Sequence, residues 1–258
     1  MKLLFFSLLA FGDVLFVGGI FNECALGVVE YFGTFRRIVH APEFFWPSSR
    51  QSVPETVRAL HRKIRAHEGS LMLVAHSKGA AEALILVLQH PELLRTGRIH
   101  RLLLIQGAFG GSPLARASCF GLMTPLRFFF REVLVSMEPE NTRTLLQEAY
   151  KSFVAQTSGS ERENFSKKIF YLRSAIEADE LSSALLPIWR LCGDQLSHLG
   201  QHDGILLTEE EKFDAIGQDL GVVQFDHFDL VMRGVGMRAS EEKRSSALRH
   251  AFMQVLED

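Results

Sequence analysis

Short apolar runs alternate with amphipathic segments along most of the chain. Apolar runs of about 4–8 residues bounded by turn formers are typical of buried strands, and apolar positions three and four residues apart are typical of helices. The pattern predicts strands at 14–17, 37–43, 71–75, 101–105, 168–175, 186–193 and 220–225. It predicts helices near 23–36, at 52–67, at 79–90 and at about 240–256. Strands that alternate with helices indicate an α/β protein with a mostly parallel central sheet flanked by helices.

The alternation of strand and helix patterns is interrupted between about residue 112 and residue 165, where the sequence has helical segments rich in Phe and Leu. We therefore expect an α/β core formed by 1–112 and 166–258, with a helical cap or lid inserted at 113–165. Ligands of open α/β sheets bind outside the carboxyl ends of the strands, so such a cap would cover the binding edge.

Within the expected cap, residues 119–137 are apolar around the whole helical period. We interpret them as a buried helix or as a lid whose Leu122-Met123 and 128–130 surface contacts acyl chains or, transiently, a lipid interface. The polar stretch 157–163, TSGSERE, is typical of a mobile linker.

Composition narrows the function classes. The chain has 258 residues, 47% of them hydrophobic and 22% charged, which is enough apolar material for a sizeable core. A net charge of −2 argues against nucleic-acid binding. Cys24, Cys119 and Cys192 are widely spaced and form no CxxC pair, which argues against a disulfide framework and a zinc site. We therefore expect no metal, and the oligomeric state stays open.

The apolar N-terminus allows three interpretations. Residues 1–12 contain a lysine, an apolar stretch and small residues, which is typical of a secretory signal peptide. The same residues also suit buried strands of a cytoplasmic protein, the reading we favour slightly over secretion or export to the periplasm. A membrane anchor is disfavoured, because Asp13 at the centre of a span would cost about 2.5–3.5 kcal/mol.

Ser77 is the first candidate for chemistry. It lies between a predicted strand and a predicted helix in the sequence Ala75-His76-Ser77-Lys78-Gly79. A sharp strand-to-helix turn needs small residues two positions before and after the serine, and Ala75 and Gly79 satisfy this nucleophile-elbow pattern. The start of the following helix directs backbone N–H groups towards the serine, which favours an oxyanion there.

A nucleophilic serine also needs oxyanion donors, a base and an acid. Gly18-Gly19 after the first strand allow close backbone approach, so we expect the N–H of Ile20, or of its neighbour Phe21, and the N–H of Lys78 to form the oxyanion hole. His227 directly follows a predicted strand and suits the base. Asp203 and Asp194 both lie in later loops and are the alternatives for the acid.

Four motifs together resemble the bacterial triacylglycerol lipases and esterases of the α/β-hydrolase superfamily. They are the Ser77 elbow, His202-Asp203-Gly204, Asp226-His227-Phe228-Asp229, and the 107–112 stretch GAFGGS after the next strand. The resemblance covers about 13–120 and 168–235. It implies an α/β-hydrolase fold with Ser77, Asp203 and His227 as the catalytic triad, and it favours Asp203 over Asp194. The resembled lipases sometimes hold a calcium ion, but this sequence offers no clear ligand set for one.

The sequence departs from the resembled pattern at three positions. Gly18 stands where such lipases usually have His, Phe109 replaces a Pro, and Lys78 follows the candidate nucleophile where a neutral residue is common. We expect the Lys78 charge to pair with Glu23 or with Glu82, one helical turn on. These departures affect the choice of substrate more than the type of reaction.

The sequence thus predicts a serine hydrolase of carboxylesterase or lipase type that acts on an apolar acyl ester without a cofactor. A thioesterase or an acyltransferase would use the same three residues. A non-catalytic hydrolase-fold protein that binds a hydrophobic ligand or a partner is the alternative from another class. Acyl length and leaving group are not encoded in any motif.

Overall fold

The computed structural model describes residues 13–19, 29–39, 42–116, 139–183, 185–186, 189–190, 197–234 and 236–257. The strands of this part are β1 (Asp13–Val17), β2 (Val29–Tyr31), β3 (Glu43–Phe45), β4 (Leu71–His76), β5 (Ile99–Ile105), β6 (Ile169–Ala175), β7 (Gln218–Gln224) and β8 (Met232–Gly234). The helices are α1 (Phe35–Ile38), α2 (Val53–Ala66), α3 (Lys78–Gln89), α4 (Glu92–Arg95), α5 (Pro139–Gln156), α6 (Gly159–Ser166) and α7 (Glu241–Glu257).

Six parallel strands form the central sheet in the order β3-β1-β4-β5-β6-β7. Every residue of β4 is buried, because helices cover both faces of the sheet at its centre. β2 and β8 form a separate antiparallel pair in which Tyr31 lies opposite Met232. The predicted mostly parallel sheet flanked by helices is confirmed.

The core lies in two layers, one on each face of the sheet. Successive residues of β1 belong to different layers. Leu15 packs in the layer under α2, α3 and α5, and Phe16 packs in the layer under α1 and α7. In the second layer the rings of Phe35 and Phe252 meet with their centroids 5.6 Å apart. Burying a side chain of this size contributes about 1.5–3 kcal/mol, so the two layers supply most of the driving force for folding.

The start of α2 follows the sequence prediction. Ser52 and Glu55 form a capping box in which the Ser52 N–H donates to Glu55 Oε2 at 3.1 Å. The same device begins α6, where Ser158 Oγ accepts from the Glu161 N–H at 3.2 Å. The predicted mobile linker at 157–163 is therefore wrong: its Ser-x-x-Glu sequence is a helix start.

Three further element predictions are corrected. Of the predicted helix at 23–36, residues 29–31 form β2, because pairing with β8 overrides the local helical pattern. Of the predicted strand at 37–43, residues 37–38 end α1, and β3 begins only at Glu43. In the predicted strand at 186–193, Trp189 donates its N–H to Leu185 O at 2.9 Å, which is a helical hydrogen bond. A short apolar run does not distinguish a strand from a buried helical segment.

The predicted cap is described only in part. Its residues 117–138, including Leu122-Met123 and 128–130, lie outside the described ranges, as do residues 1–12 and the three cysteines. α5 packs against α3 and buries Leu146, Ala149 and Phe153 in the core. None of the helices in the described ranges is long and apolar enough to span a membrane.

Candidate active site

Ser77 lies on the sharp turn between β4 and α3. Its backbone has φ 57° and ψ −127°, a conformation that side-chain-bearing residues adopt at a cost of about 1–3 kcal/mol. Neighbouring glycines make the turn possible: a Cβ on Gly79 would lie 2.5 Å from Gly18 O, and one on Gly19 would lie 2.7 Å from Ser77 Cβ. The Ser77 N–H donates to Ile105 O at 3.0 Å, which fixes the turn to the end of β5.

The structure brings Ser77, His227 and Asp203 into one hydrogen-bonded row. His227 Nε2 lies 2.8 Å from Ser77 Oγ, and His227 Nδ1 lies 2.5 Å from Asp203 Oδ2. All three residues are fully buried. Because Asp203 accepts at Nδ1, the proton of a neutral His227 belongs on Nδ1, which leaves Nε2 to accept the serine proton.

A tight loop after β6 holds Asp203. Its Oδ1 accepts the backbone N–H groups of Ile205 and Leu206 at 2.9 and 2.7 Å. Gly204 has a φ of 95° in this loop, which a glycine adopts without strain. The backbone carbonyl of Asp203 also accepts the N–H of His227 at 2.9 Å, so the two loops are joined through main chain as well as side chains.

The loop after β7 carries His227 between two buried aspartates. Asp226 Oδ1 accepts the N–H groups of Phe228 and Asp229 at 2.9 and 2.7 Å. The carboxylate of Asp229 accepts two further backbone N–H groups and pairs with the buried Arg244 at 3.3 Å. Burial nevertheless raises the pKa of Asp229, and the negative charge of Asp226 adds to this. These donors set the position of the loop from which the imidazole projects.

Of the predicted oxyanion donors, the structure describes only Lys78. Ile20 lies outside the described residues, as do its neighbour Phe21 and the alternative acid Asp194. Lys78 is the first residue of α3, where a backbone N–H has no intrahelical partner. The Gly19 N–H is already donated to the Tyr31 hydroxyl at 2.9 Å and is not available to a substrate.

The predicted pairing of Lys78 with Glu82 is confirmed, and Glu23 lies outside the described residues. Lys78 Nζ lies 3.3 Å from Glu82 Oε1 and donates to Gln51 O at 2.6 Å. Burial raises the pKa of Glu82 from 4.5 to about 7, and the charge of Lys78 only partly offsets that effect. The lysine thus anchors the first turn of α3 to the start of α2.

Sequence reasoning missed several buried polar groups beside the row. Tyr31, His76 and Gln106 form a connected hydrogen-bond network at its base. Glu211 is fully buried, accepts the Ser174 N–H at 2.8 Å, and has a pKa well above its ordinary range because of burial and the nearby charge of Asp203. No local motif marks these residues, because their partners are distant in sequence.

One group of potential metal ligands occurs in the described ranges, away from Ser77. His61, His90 and Glu92 have ligand atoms within 4.8 Å of one another. The two imidazole rings stack at 3.9 Å, and His90 Nδ1 lies 3.1 Å from Glu92 Oε1. Ligands of one tetrahedral zinc ion lie about 3.4 Å apart, given bond lengths of about 2.0–2.1 Å. As they stand, the two imidazole rings stack on each other and His90 is hydrogen-bonded to Glu92.

Comparisons with known proteins identify the fold. No protein-family model matches the sequence, and no curated protein matches it. The structure is similar to that of the metagenomic carboxyl esterase MGS0156, with a TM-score of 0.65, 22% identity and coverage of 96% of this chain and 76% of the other. It is also similar to the mature Bacillus licheniformis lipase BlEst2, with a TM-score of 0.60, 13% identity and coverage of 95% and 91%.

A third similar structure is phospholipase PlaB from Legionella pneumophila, with a TM-score of 0.59 and 12% identity. The match covers 95% of this chain and 62% of PlaB. Likenesses at such low identity show the fold alone. The chain has the α/β-hydrolase fold, as the resemblance predicts.

Proposed function

We propose that the protein is a serine carboxylester hydrolase that cleaves an apolar acyl ester through an acyl-enzyme. One observation carries the proposal: Ser77, on a strained strand-to-helix turn, is hydrogen-bonded to His227, and His227 to Asp203, in a fully buried row. Nucleophile, base and orienting acid at hydrogen-bond distance are the arrangement that acyl transfer requires.

In the first step Ser77 Oγ attacks the ester carbonyl carbon while its proton moves to His227 Nε2. The carbonyl oxygen becomes an oxyanion, for which the N–H of Lys78 and, as the sequence predicts, that of Ile20 are the donors. Collapse of this intermediate breaks the bond to the alcohol oxygen, which takes the proton from His227. The products are the free alcohol and Ser77 esterified by the acyl group.

In the second step a water molecule attacks the acyl-enzyme and gives its proton to His227 Nε2. Collapse of the second intermediate returns that proton to Ser77 Oγ and releases the acid. Asp203 stays ionised throughout: it holds Nδ1–H at 2.5 Å and stabilises the imidazolium. The cycle consumes the ester and one water molecule and needs no cofactor or metal.

The apolar acyl group is proposed from the Phe- and Leu-rich cap sequence. The described α/β core is similar to an esterase, a lipase and a phospholipase, which supports an ester substrate. We further propose that the cap contacts the acyl chain and, transiently, a lipid interface. No nucleic-acid partner is proposed, because the net charge is −2.

Hydrolysis of p-nitrophenyl esters from acetate to palmitate by the wild type and by Ser77→Ala tests the proposal. We expect hydrolysis that is lost in the variant, by a factor on the order of a million as in a well-studied serine hydrolase. Preference for long chains would assign a lipase, and activity confined to short chains a small-ester esterase. A fluorophosphonate probe should label the wild type and not Ser77→Ala.

The same experiment separates the alternatives. Labelling without ester hydrolysis would redirect the proposal to a thioesterase or an acyltransferase, which use the same residues on another leaving group or acceptor. Absence of both labelling and Ser77-dependent turnover would overturn an enzymatic function in favour of a binding protein.

A further inference from the structure

A buried tyrosine contacts the backbone of the candidate oxyanion loop. The Tyr31 side chain is 4% exposed, and its hydroxyl lies 2.9 Å from Gly19 N and within hydrogen-bond distance of His76 Nδ1. The Gly19 N–H can only donate, so the hydroxyl accepts there and has its own proton free for His76 Nδ1. Gly19 precedes Ile20, and His76 precedes Ser77.

The network continues from His76 to the loop that carries His227. With Nδ1 accepting from the tyrosine, the proton of neutral His76 is on Nε2, which lies 3.1 Å from both Gln106 Oε1 and His227 O. Gln106 Nε2 in turn donates to Asp226 O at 2.9 Å and Ser174 Oγ at 2.6 Å. Every donor in this chain meets an acceptor, and every link is buried.

The electrostatics keep this network uncharged. Burial and the neighbouring His227 hold the pKa of His76 well below its ordinary range, and burial raises the pKa of Tyr31. The rings of His76 and His227 lie only 4.8 Å apart, centroid to centroid. A neutral His76 imposes no repulsion when His227 takes a proton, whereas a charged one would oppose it.

Backbone strain is concentrated at the same place. In the described ranges three non-glycine residues have a positive φ: Phe32, Ser77 and Gln106. Phe32 follows Tyr31, and Gln106 is a member of the network. Such conformations cost about 1–3 kcal/mol each and persist where surrounding contacts hold them, as they do at functional sites.

We propose that Tyr31 is a positioning residue, whose hydroxyl, together with His76 and Gln106, holds the Gly18-Gly19 loop in the orientation that the oxyanion hole requires. This inference rests on the proposed function. The tyrosine does not touch the reacting atoms; it acts by accepting the Gly19 N–H, which fixes the peptide group between Gly18 and Gly19. The same network ties the His227 loop to the turn at Ser77.

The test is the kinetics of Tyr31→Phe on a p-nitrophenyl ester that the wild type hydrolyses. Removing the hydroxyl frees the Gly19 peptide and leaves His76 Nδ1 without its donor. We expect kcat to fall about 10- to 100-fold with KM changed less than about twofold, because an oxyanion donor acts in the transition state. Binding of a trifluoromethyl ketone, which forms a tetrahedral adduct with the serine, should weaken by the same factor as kcat/KM.

Tyr171→Phe is the matched control. Tyr171 is also buried, and its hydroxyl donates a single hydrogen bond to Ile216 O at 2.7 Å, away from the candidate site. Both variants should lose some thermal stability, and only Tyr31→Phe should lose kcat. If Tyr31→Phe does not fold, Gln106→Asn replaces it: asparagine tolerates a positive φ but is too short to reach both Asp226 and Ser174.

The outcomes separate this inference from the proposed function. Ser77-dependent hydrolysis with an unchanged kcat in Tyr31→Phe overturns the positioning role and leaves the function standing. Equal losses of kcat in Tyr31→Phe and Tyr171→Phe would mean that the Tyr31 hydroxyl only stabilises the fold, which also overturns the positioning role. A wild type without Ser77-dependent turnover overturns both.

Discussion

Replacing Asp203 with asparagine isolates the role of the acid in the hydrogen-bonded row. The N–H groups of Ile205 and Leu206 lie 2.9 and 2.7 Å from Oδ1, so they select the amide oxygen for that position. The amide NH2 then faces His227 Nδ1, which lies 2.5 Å from Oδ2 in the wild type. A donor at this position forces Nδ1 to accept, and the imidazole proton moves to Nε2.

With its proton on Nε2, His227 donates towards Ser77 Oγ and cannot take the serine proton. The same change of histidine tautomer in a serine protease lowers kcat by a factor of about 10⁴, which corresponds to a rise of about 5 kcal/mol in the activation barrier. The side-chain volume hardly changes, and the two backbone donors keep their acceptor. We therefore expect the loss in kcat to exceed any loss of stability by far.

Steady-state hydrolysis of the preferred p-nitrophenyl ester measures this effect, with thermal melting as a check on folding. Asp219→Asn is the control, because Asp219 also pairs through both oxygens, with Arg173, but on β7 away from the row. Asp194→Asn tests the alternative acid. A kcat of Asp203→Asn within about tenfold of the wild type, or a larger loss in Asp194→Asn, would refute the assignment.

Three further changes probe the surroundings of the row. In Gly19→Ala the new Cβ would lie 2.7 Å from Ser77 Cβ, so we expect ester hydrolysis to fall at least 100-fold. Gly159→Ala is the control, because its Cβ would meet nothing closer than 3.9 Å, and it should leave hydrolysis unchanged. Glu82 has its pKa raised from 4.5 to about 7, so the folded state binds the proton more tightly and stability falls as pH rises between those values, by up to about 3 kcal/mol. Urea unfolding at pH 5 and pH 8 should therefore show that Glu82→Gln loses less unfolding free energy between these pH values than the wild type does. Equal losses in the two proteins would contradict the raised pKa of Glu82. Arg244→Met leaves the Asp229 carboxylate without its buried cation at 3.3 Å, and we expect about 3–5 kcal/mol less stability by urea unfolding at pH 7.

The sequence by itself determined the features that depend on residues close together in the chain. The apolar periods predict β1, β4 to β7, α2, α3 and α7, since strand and helix place their buried side chains with different spacing. Ala75 and Gly79 predict the turn at Ser77 because only small residues fit beside it. The order of motifs selected Ser77, Asp203 and His227, and these are the residues that lie in one hydrogen-bonded row.

Tertiary structure decided everything that depends on partners distant in sequence. β2 is a strand only because it pairs with β8, about 200 residues later in the chain. The short apolar run at 186–193 has no period that separates a strand from a buried helical segment, and its described residues 186 and 189–190 are helical. The Tyr31, His76 and Gln106 network joins residues at the ends of three different strands, β2, β4 and β5, so no single stretch of sequence predicts it. A buried polar group is stable only when a partner reaches it, and which partner does so is a property of the folded chain.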